Sequence, residues 1–185
     1  MSSCRTTGRL LMIVLLMLSA CASLPGKQSP ADTKTTSIGP YSEFTGRLLV
    51  MDQQRRWQVQ VQWKAIEPES GWLRLTHAAS NTVIELRWDH QTMQMRDNSA
   101  NNWQRTSQKI LSDHGIVLPP NQLAALLLGE IPEHFQLKTS NDKDNLVWES
   151  RGLDQFVRLQ WQESTHRLTM TDMTHGRRAI LLIQP

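Results

Sequence analysis

Six His and two Cys are the side chains in this chain best suited to metal ligation or nucleophilic chemistry, and their spacing supports neither. His77, His90, His114, His134, His166 and His175 are scattered, with no two of them three or four residues apart, so no ligand pair is written locally. Asp142-Lys143-Asp144-Asn145 starts like a calcium loop but lacks the Gly and the closing Glu in register, and reads as a solvated turn. No Gly-x-Ser-x-Gly elbow, phosphate loop or Gly-rich dinucleotide signature occurs. No catalytic residue, metal or cofactor is therefore assigned, and an enzyme is not expected.

The chemistry that the sequence does write is at Cys21. Arg5 and Arg9 precede the apolar run Leu10 to Leu18, which is shorter than the roughly 20 residues that span a bilayer. Small residues follow at Ser19 and Ala20, the layout of a secretory signal. Leu18-Ser19-Ala20-Cys21 resembles the bacterial lipobox, in which cleavage leaves the Cys as a lipid-modified first residue. Ala22, rather than Asp, follows it; by resemblance to the enterobacterial sorting rule, Ala22 directs export to the outer membrane. Residues 1–20 are thus expected to be a lipoprotein signal peptide. Residues 21–40, rich in Ser, Thr, Pro, Gly and Lys, read as a lipidated Cys and flexible tether, and residues 41–185 as the domain.

Removal of the signal takes Cys4 and commits Cys21 to lipid, so the mature chain has no disulfide and depends on its core. Two of the 20 Lys and Arg leave with the signal while all 17 acids stay, giving +1. No long basic cluster remains, and no nucleic acid is expected. After the signal no apolar stretch is long enough to cross a membrane, so the body is expected to be soluble, monomeric and held by its lipid at the periplasmic face of the outer membrane.

The domain alternates. Trp57, Val59, Val61 and Trp63 fall on one face of a strand and Gln58, Gln60 and Gln62 on the other. Asp52-Gln53-Gln54 predicts a hairpin turn before it. Leu73 and Leu75 begin the next strand; Ile84, Leu86 and Trp88 follow a turn near Ser80-Asn81; Met93 and Met95 belong to a short strand ending in a turn at Asp97 to Asn101. Then the period changes. Gln108 to His114 is a short helix candidate with Ser107 as cap and Gly115 past its end. Pro119 to Pro132 is the clearest helix, capped by Asn121 and stopped by Gly129 and Pro132, with Leu123, Leu126 and Leu127 on one stripe. Strands resume at Leu146–Ser150, Phe156–Trp161 and Leu168–Met170. The final Ala179-Ile180-Leu181-Leu182-Ile183 is apolar on both faces, which makes it buried or the end of the sheet. Strands, helices, strands, with short connections, make an α+β domain: one antiparallel sheet curling around a helical segment.

Seven Trp against three Phe and one Tyr is a skewed aromatic set. Core packing explains any one of them, yet a curled sheet lined by large smooth side chains can also enclose an apolar ligand. Met93, Met95 and Met170 add adaptable surface.

Three runs carry a family resemblance: Tyr41 to Lys64, Gly71 to Trp88, and Leu111 to Pro132 with its Pro120, Leu123, Leu128-Gly129 and Pro132 spacing. With the closing Arg167 to Asp172 and Arg177 to Ile183, they resemble the LolB family of outer-membrane lipoprotein receptors in layout over about residues 41 to 183. The resemblance implies an incomplete, open antiparallel β-barrel enclosing an apolar cavity and lidded by short helices. It implies a job too: to accept triacylated lipoproteins from the periplasmic carrier LolA and insert them into the outer membrane. Each buried methylene is worth about 0.8 kcal/mol, so acyl chains must pass from one apolar cavity to another rather than through water.

Carried over by position, the acyl-chain cavity comprises Trp57, Val61, Trp63, Leu75, Ile84, Leu86 and Trp88 from the sheet's first half. Leu123, Leu126 and Leu127 come from the helix, and Val157, Leu159, Trp161, Leu168 and Met170 from the second half. Leu126 stands where the family has a Trp. The family's exposed Pro-Leu-Gly delivery loop is replaced by His77-Ala78-Ala79-Ser80, with Ala79 at the Leu position, and the family's helix ahead of the first strand looks absent. The altered loop leaves an alternative open: a lipid-binding or scaffolding outer-membrane lipoprotein of the same fold without insertion activity.

Overall fold

The computed structural model describes residues 37–53, 55–99, 102–114, 116–138, 144–151 and 155–185. Thr35–Pro185 forms one compact unit; the other, Met1–Lys34, lies outside the described residues, as do Cys4, the signal, Cys21, Ala22, most of the segment ahead of the first strand in which no helix is expected, Gly115 and Asp142-Lys143.

Alternation sets the strands. β1 (Glu43–Met51) turns through Asp52 into β2 (Arg56–Glu67), and the Arg55 amide donates to Asp52 Oδ1 at 2.6 Å to close the hairpin. In β2, Val59, Val61, Trp63 and Ala65 are buried, Trp57 is half-buried, and every Gln between them is exposed. β3 (Ser70–His77), β4 (Thr82–Trp88), β5 (Met93–Asp97) and the two-residue β6 (Gln104–Arg105) continue the meander outward. Gly71 lacks a Cβ where one would strike the Trp88 indole at 2.3 Å.

From the β6 edge the chain crosses to the opposite edge. It passes through α1 (Gln108–Asp113) and α2 (Pro120–Leu127), then β7 (Gln136–Lys138), β8 (Asn145–Arg151), β9 (Phe156–Gln162), a 3-10 turn (Glu163–Thr165), β10 (Arg167–Asp172) and β11 (Arg177–Gln184). The sheet order is β6-β5-β4-β3-β2-β1-β11-β10-β9-β8-β7, antiparallel throughout. The expected open barrel is thus an 11-stranded sheet, not closed, whose edges are its two shortest strands. Short edges offer little backbone to a foreign strand. Between the two alternatives for the last strand, burial holds: β11 is central, because it returns to pair with β1.

The helices differ from expectation at their starts. Ser107 occupies the cap position of α1 without a side-chain cap bond. Asn121 is not the cap of α2: the helix begins at Pro120, with Pro119 at the cap position, because proline's preset φ and missing N–H suit a first turn. The C-terminus is as expected. Gly129, at φ +94, lets its amide reach the Leu126 carbonyl while the Glu130 amide reaches that of Ala125, satisfying two end carbonyls. α2 is held to the segment before β1, where the Tyr41 amide donates to the Leu127 carbonyl at 2.6 Å, just after the fully buried Ile38. β7 has no counterpart in the sequence reading. All three of its residues are exposed, so it carries no burial pattern to detect.

Candidate functional site

The crossover between the two edges of the sheet packs on its buried, concave side. The segment Ile116-Val117-Leu118 and α2 lie against β1, β2, β3, β10 and β11. Of the expected cavity residues, Val61, Trp63, Leu75, Leu123 and Met170 line one shared apolar space, joined by Phe44, Leu48, Leu73 and Leu181 and by the crossover. The space is about 30 Å³, room for a water or two, against roughly 300–1,000 Å³ for a small-molecule pocket. At that size it is a packing void.

A wider cleft of about 290 Å³ opens beside the β1–β2 and β3–β4 turns, at the rim of the sheet that also holds the β10–β11 turn. Trp57, Val59, Leu75 and Ile84 floor it, and Arg55, His77, Ser80, Thr82 and His114 surround them. Leu75 lines both this mouth and the inner void, so the two are neighbours. The β3–β4 turn beside the mouth presents Ala78 and Ala79, both exposed; its ends are tied by His77 Nδ1 to Ser80 Oγ and Ser80 Oγ to Thr82 Oγ1, each at 2.7 Å.

The other expected lining residues are buried elsewhere on the concave side. Trp63 stacks on Phe44 at 6.1 Å and tilts against Trp88 at 5.2 Å, and Leu86 is buried. Trp88 donates its indole N–H to the Pro68 carbonyl at 3.0 Å and borders a second cleft, of about 280 Å³, at the opposite rim. Leu126 and Leu127 are fully buried in the α2 contact with the sheet. Val157, Leu159, Trp161 and Leu168 floor the second half, with Trp161 edge-on to Tyr41, whose hydroxyl meets His166 Nδ1 at 2.6 Å. The structure therefore distributes the 15 expected residues between one void, two clefts and a packed floor instead of gathering them around one chamber.

Sequence reasoning missed the latch that holds the crossover down. Asp172 is buried at the mouth rim, on the inner face of β10. It accepts from the Thr174 amide at 3.0 Å, the His175 amide at 3.1 Å, His175 Nδ1 at 2.7 Å and Gln155 Nε2 at 3.1 Å. Burial pushes this carboxyl up, but the hydrogen bonds from the His175 side chain and backbone and from Gln155 outweigh it and leave it below the usual range. Gln155 also donates to the Val117 carbonyl at 3.4 Å, and Arg177 donates to Ser112 Oγ on α1. The crossover is thus tied to the rim by polar contacts on an apolar bed. Nothing local marks Gln155, whose partners Asp172 and Val117 are 17 and 38 residues away, or the Arg177 contact to Ser112, 65 residues away. Ile116-Val117-Leu118 was detectable only as an apolar triplet in a loop. Among the described residues no group of His, Cys, Asp and Glu could hold a metal, and no helix is long and apolar enough to cross a membrane.

The family model for outer membrane lipoprotein LolB matches residues 42–164. The chain belongs to the LolB family. That family is described by its members' place, the outer membrane, and by their lipid, not by a catalysed reaction. No curated protein matches the sequence. Among solved structures, a LolA superfamily protein from Nitrosomonas europaea aligns at 14% identity and a TM-score of 0.46 over 82% of this chain and 89% of its own. A domain provisionally assigned to outer membrane lipoprotein sorting, from Vibrio parahaemolyticus, aligns at 11% identity and 0.47 over 82% and 87%.

Proposed function

We propose that this chain is an outer-membrane lipoprotein that accepts triacylated lipoproteins from LolA and passes them to the outer membrane. The observation that carries the reading is the mouth: an apolar-floored cleft that shares Leu75 with an apolar interior, under a crossover tied by a few polar contacts. In this account Cys21 carries lipid, Ala22 permits outer-membrane sorting, and residues 21–40 tether the domain to the inner leaflet. Acyl chains enter beside Trp57 and Ile84, and the Val117 segment lifts as they displace it, so the void enlarges along the predicted lining. No bond is made or broken, and the chain is not an enzyme.

The test mixes residues 22–185, which include the compact unit, with LolA holding a native lipoprotein, and follows which protein keeps the cargo. Movement of cargo onto this chain is expected; cargo retained on LolA while the fold is intact defeats the receptor reading. The second reading, lipid binding without insertion, is favoured by the exposed Ala78-Ala79 turn, which offers a bilayer little apolar area. Restoring the side chain with Ala79→Leu in the anchored protein is expected to raise insertion into vesicles while uptake from LolA stays constant.

A further inference from the structure

The outward positions of the strands segregate charge. Across the register they hold twelve Lys and Arg against four Glu and no Asp, a net +8 in a mature chain of +1. Three of the four Glu have an adjoining Lys or Arg: Lys64 lies 3.2 Å from Glu43, Arg158 2.7 Å from Glu149, and Glu85 sits between Arg74 and Arg96; Glu67 accepts from Ser70 Oγ at 2.7 Å. The compensating acids, such as Asp52, Glu69, Asp89 and Glu130, lie in turns and in the connection after α2. At the centre, Arg47 and Arg167 flank the exposed Leu182 across β1, β11 and β10, and Arg178 is exposed on β11 beside Met51. Among the described residues these three arginines face no carboxylate within ion-pair distance. Toward the β6 edge, Trp103 is held by guanidinium groups of Arg87 at 4.3 Å and Arg96 at 4.7 Å.

We infer that this convex face docks on an anionic phospholipid surface. Charge is the first reason: a one-signed face opposed by acidic loops orients a body toward a negative plane, and each Lys or Arg near such a plane contributes about fivefold in affinity. Composition is the second. Guanidinium groups pair with phosphates in a bidentate fork, and arginine, Trp and an isolated exposed Leu together are what an interface of headgroups and acyl boundary takes up. The choice of lipid over an acidic protein rests on the proposed anchoring, which keeps a bilayer within reach of the domain. β3 and β4, whose turn carries Ala78 and Ala79, belong to this face, so docking brings that turn to the same surface.

The experiment measures co-sedimentation of residues 22–185, which lack any acyl group, with phosphatidylcholine vesicles with and without phosphatidylglycerol over a salt series. Binding is expected only with phosphatidylglycerol and is expected to fall as salt rises. Arg47→Gln/Arg167→Gln/Arg178→Gln is expected to lower affinity about 100-fold. The control Lys109→Gln, on α1, stays within about twofold, because only charges held at the surface count. Equal binding to both vesicles, or a triple variant that binds like the parent, overturns the inference. So does loss of cargo uptake from LolA by the triple variant with vesicle binding unchanged, which assigns the face to an acidic protein. Cargo transfer that proceeds normally while vesicle binding is absent defeats this inference alone and leaves the receptor reading standing.

Discussion

The two faces of the sheet are built from alternate residues of the same strands and obey opposite rules. On the concave side, β2 places Val59, Val61, Trp63 and Ala65, and the neighbouring strands add Leu73, Leu86, Leu159, Leu168 and Leu181, all buried. One carboxylate is sunk among them, Asp172, fully occupied by hydrogen bonds. One residue along, the convex side places Gln58, Gln60 and Gln62, and cations on nearly every other strand. The inner face is constrained by volume, so a single side chain matters there. The outer face is constrained by summed charge, so no single side chain does.

The largest break in this contrast is Trp63→Ala. It removes a fully buried ring from between Phe44 and Trp88 and is expected to cost about 3–5 kcal/mol in urea unfolding. A loss below about 1 kcal/mol would mean that the concave side is loose enough to relax around the hole, as a pre-opened cavity would be.

Asp172→Asn is intermediate, at about 1–3 kcal/mol near neutral pH, because the His175 and Gln155 groups lose their acceptor charge in a buried site. The sign with pH follows from the lowered carboxyl. Its stabilisation is complete above the ordinary value of 3.8 and is lost as pH falls through the depressed folded-state value, so the parent loses stability on the acid limb below about pH 4. The Asp172→Asn variant should lack that part of the acid loss. Parallel stability curves for the two proteins would show that the latch is not held by this charge.

Gln60→Glu is the smallest. Exposed between Arg47 and Thr76, it is expected to shift stability by under about 0.5 kcal/mol while weakening binding to phosphatidylglycerol vesicles about fivefold, a dissociation of stability from docking that a concave substitution cannot produce. An equal effect on both would merge the two faces.

Strand faces were legible because the period-two pattern is local: Trp63 and Gln62 reveal opposite sides of β2 without knowledge of any partner. The Gly129 stop was legible for the same reason, since a left-handed terminus needs only the residue that tolerates it. Asn121 misled as a cap because two prolines had already set the first turn, and β7 was silent because an exposed edge buries nothing. The alternation places the lining set on one face of the sheet, but it carries no information on which members meet: Trp57 and Ile84 border the mouth, while Trp161 packs on Tyr41.

What the sequence by itself determined, then, is direction: which residues of each strand go in, which go out, and where the period changes from strand to helix. What only the tertiary structure decided is adjacency. β11 returns to β1, the 116–118 segment reduces the interior to about 30 Å³, Gln155 meets Asp172, and cations dispersed along the chain from Arg47 to Arg178 face the same way. Direction depends on dihedrals within one strand, whereas adjacency depends on closing loops over the whole chain, and the free energy that selects it comes from packing no short window contains.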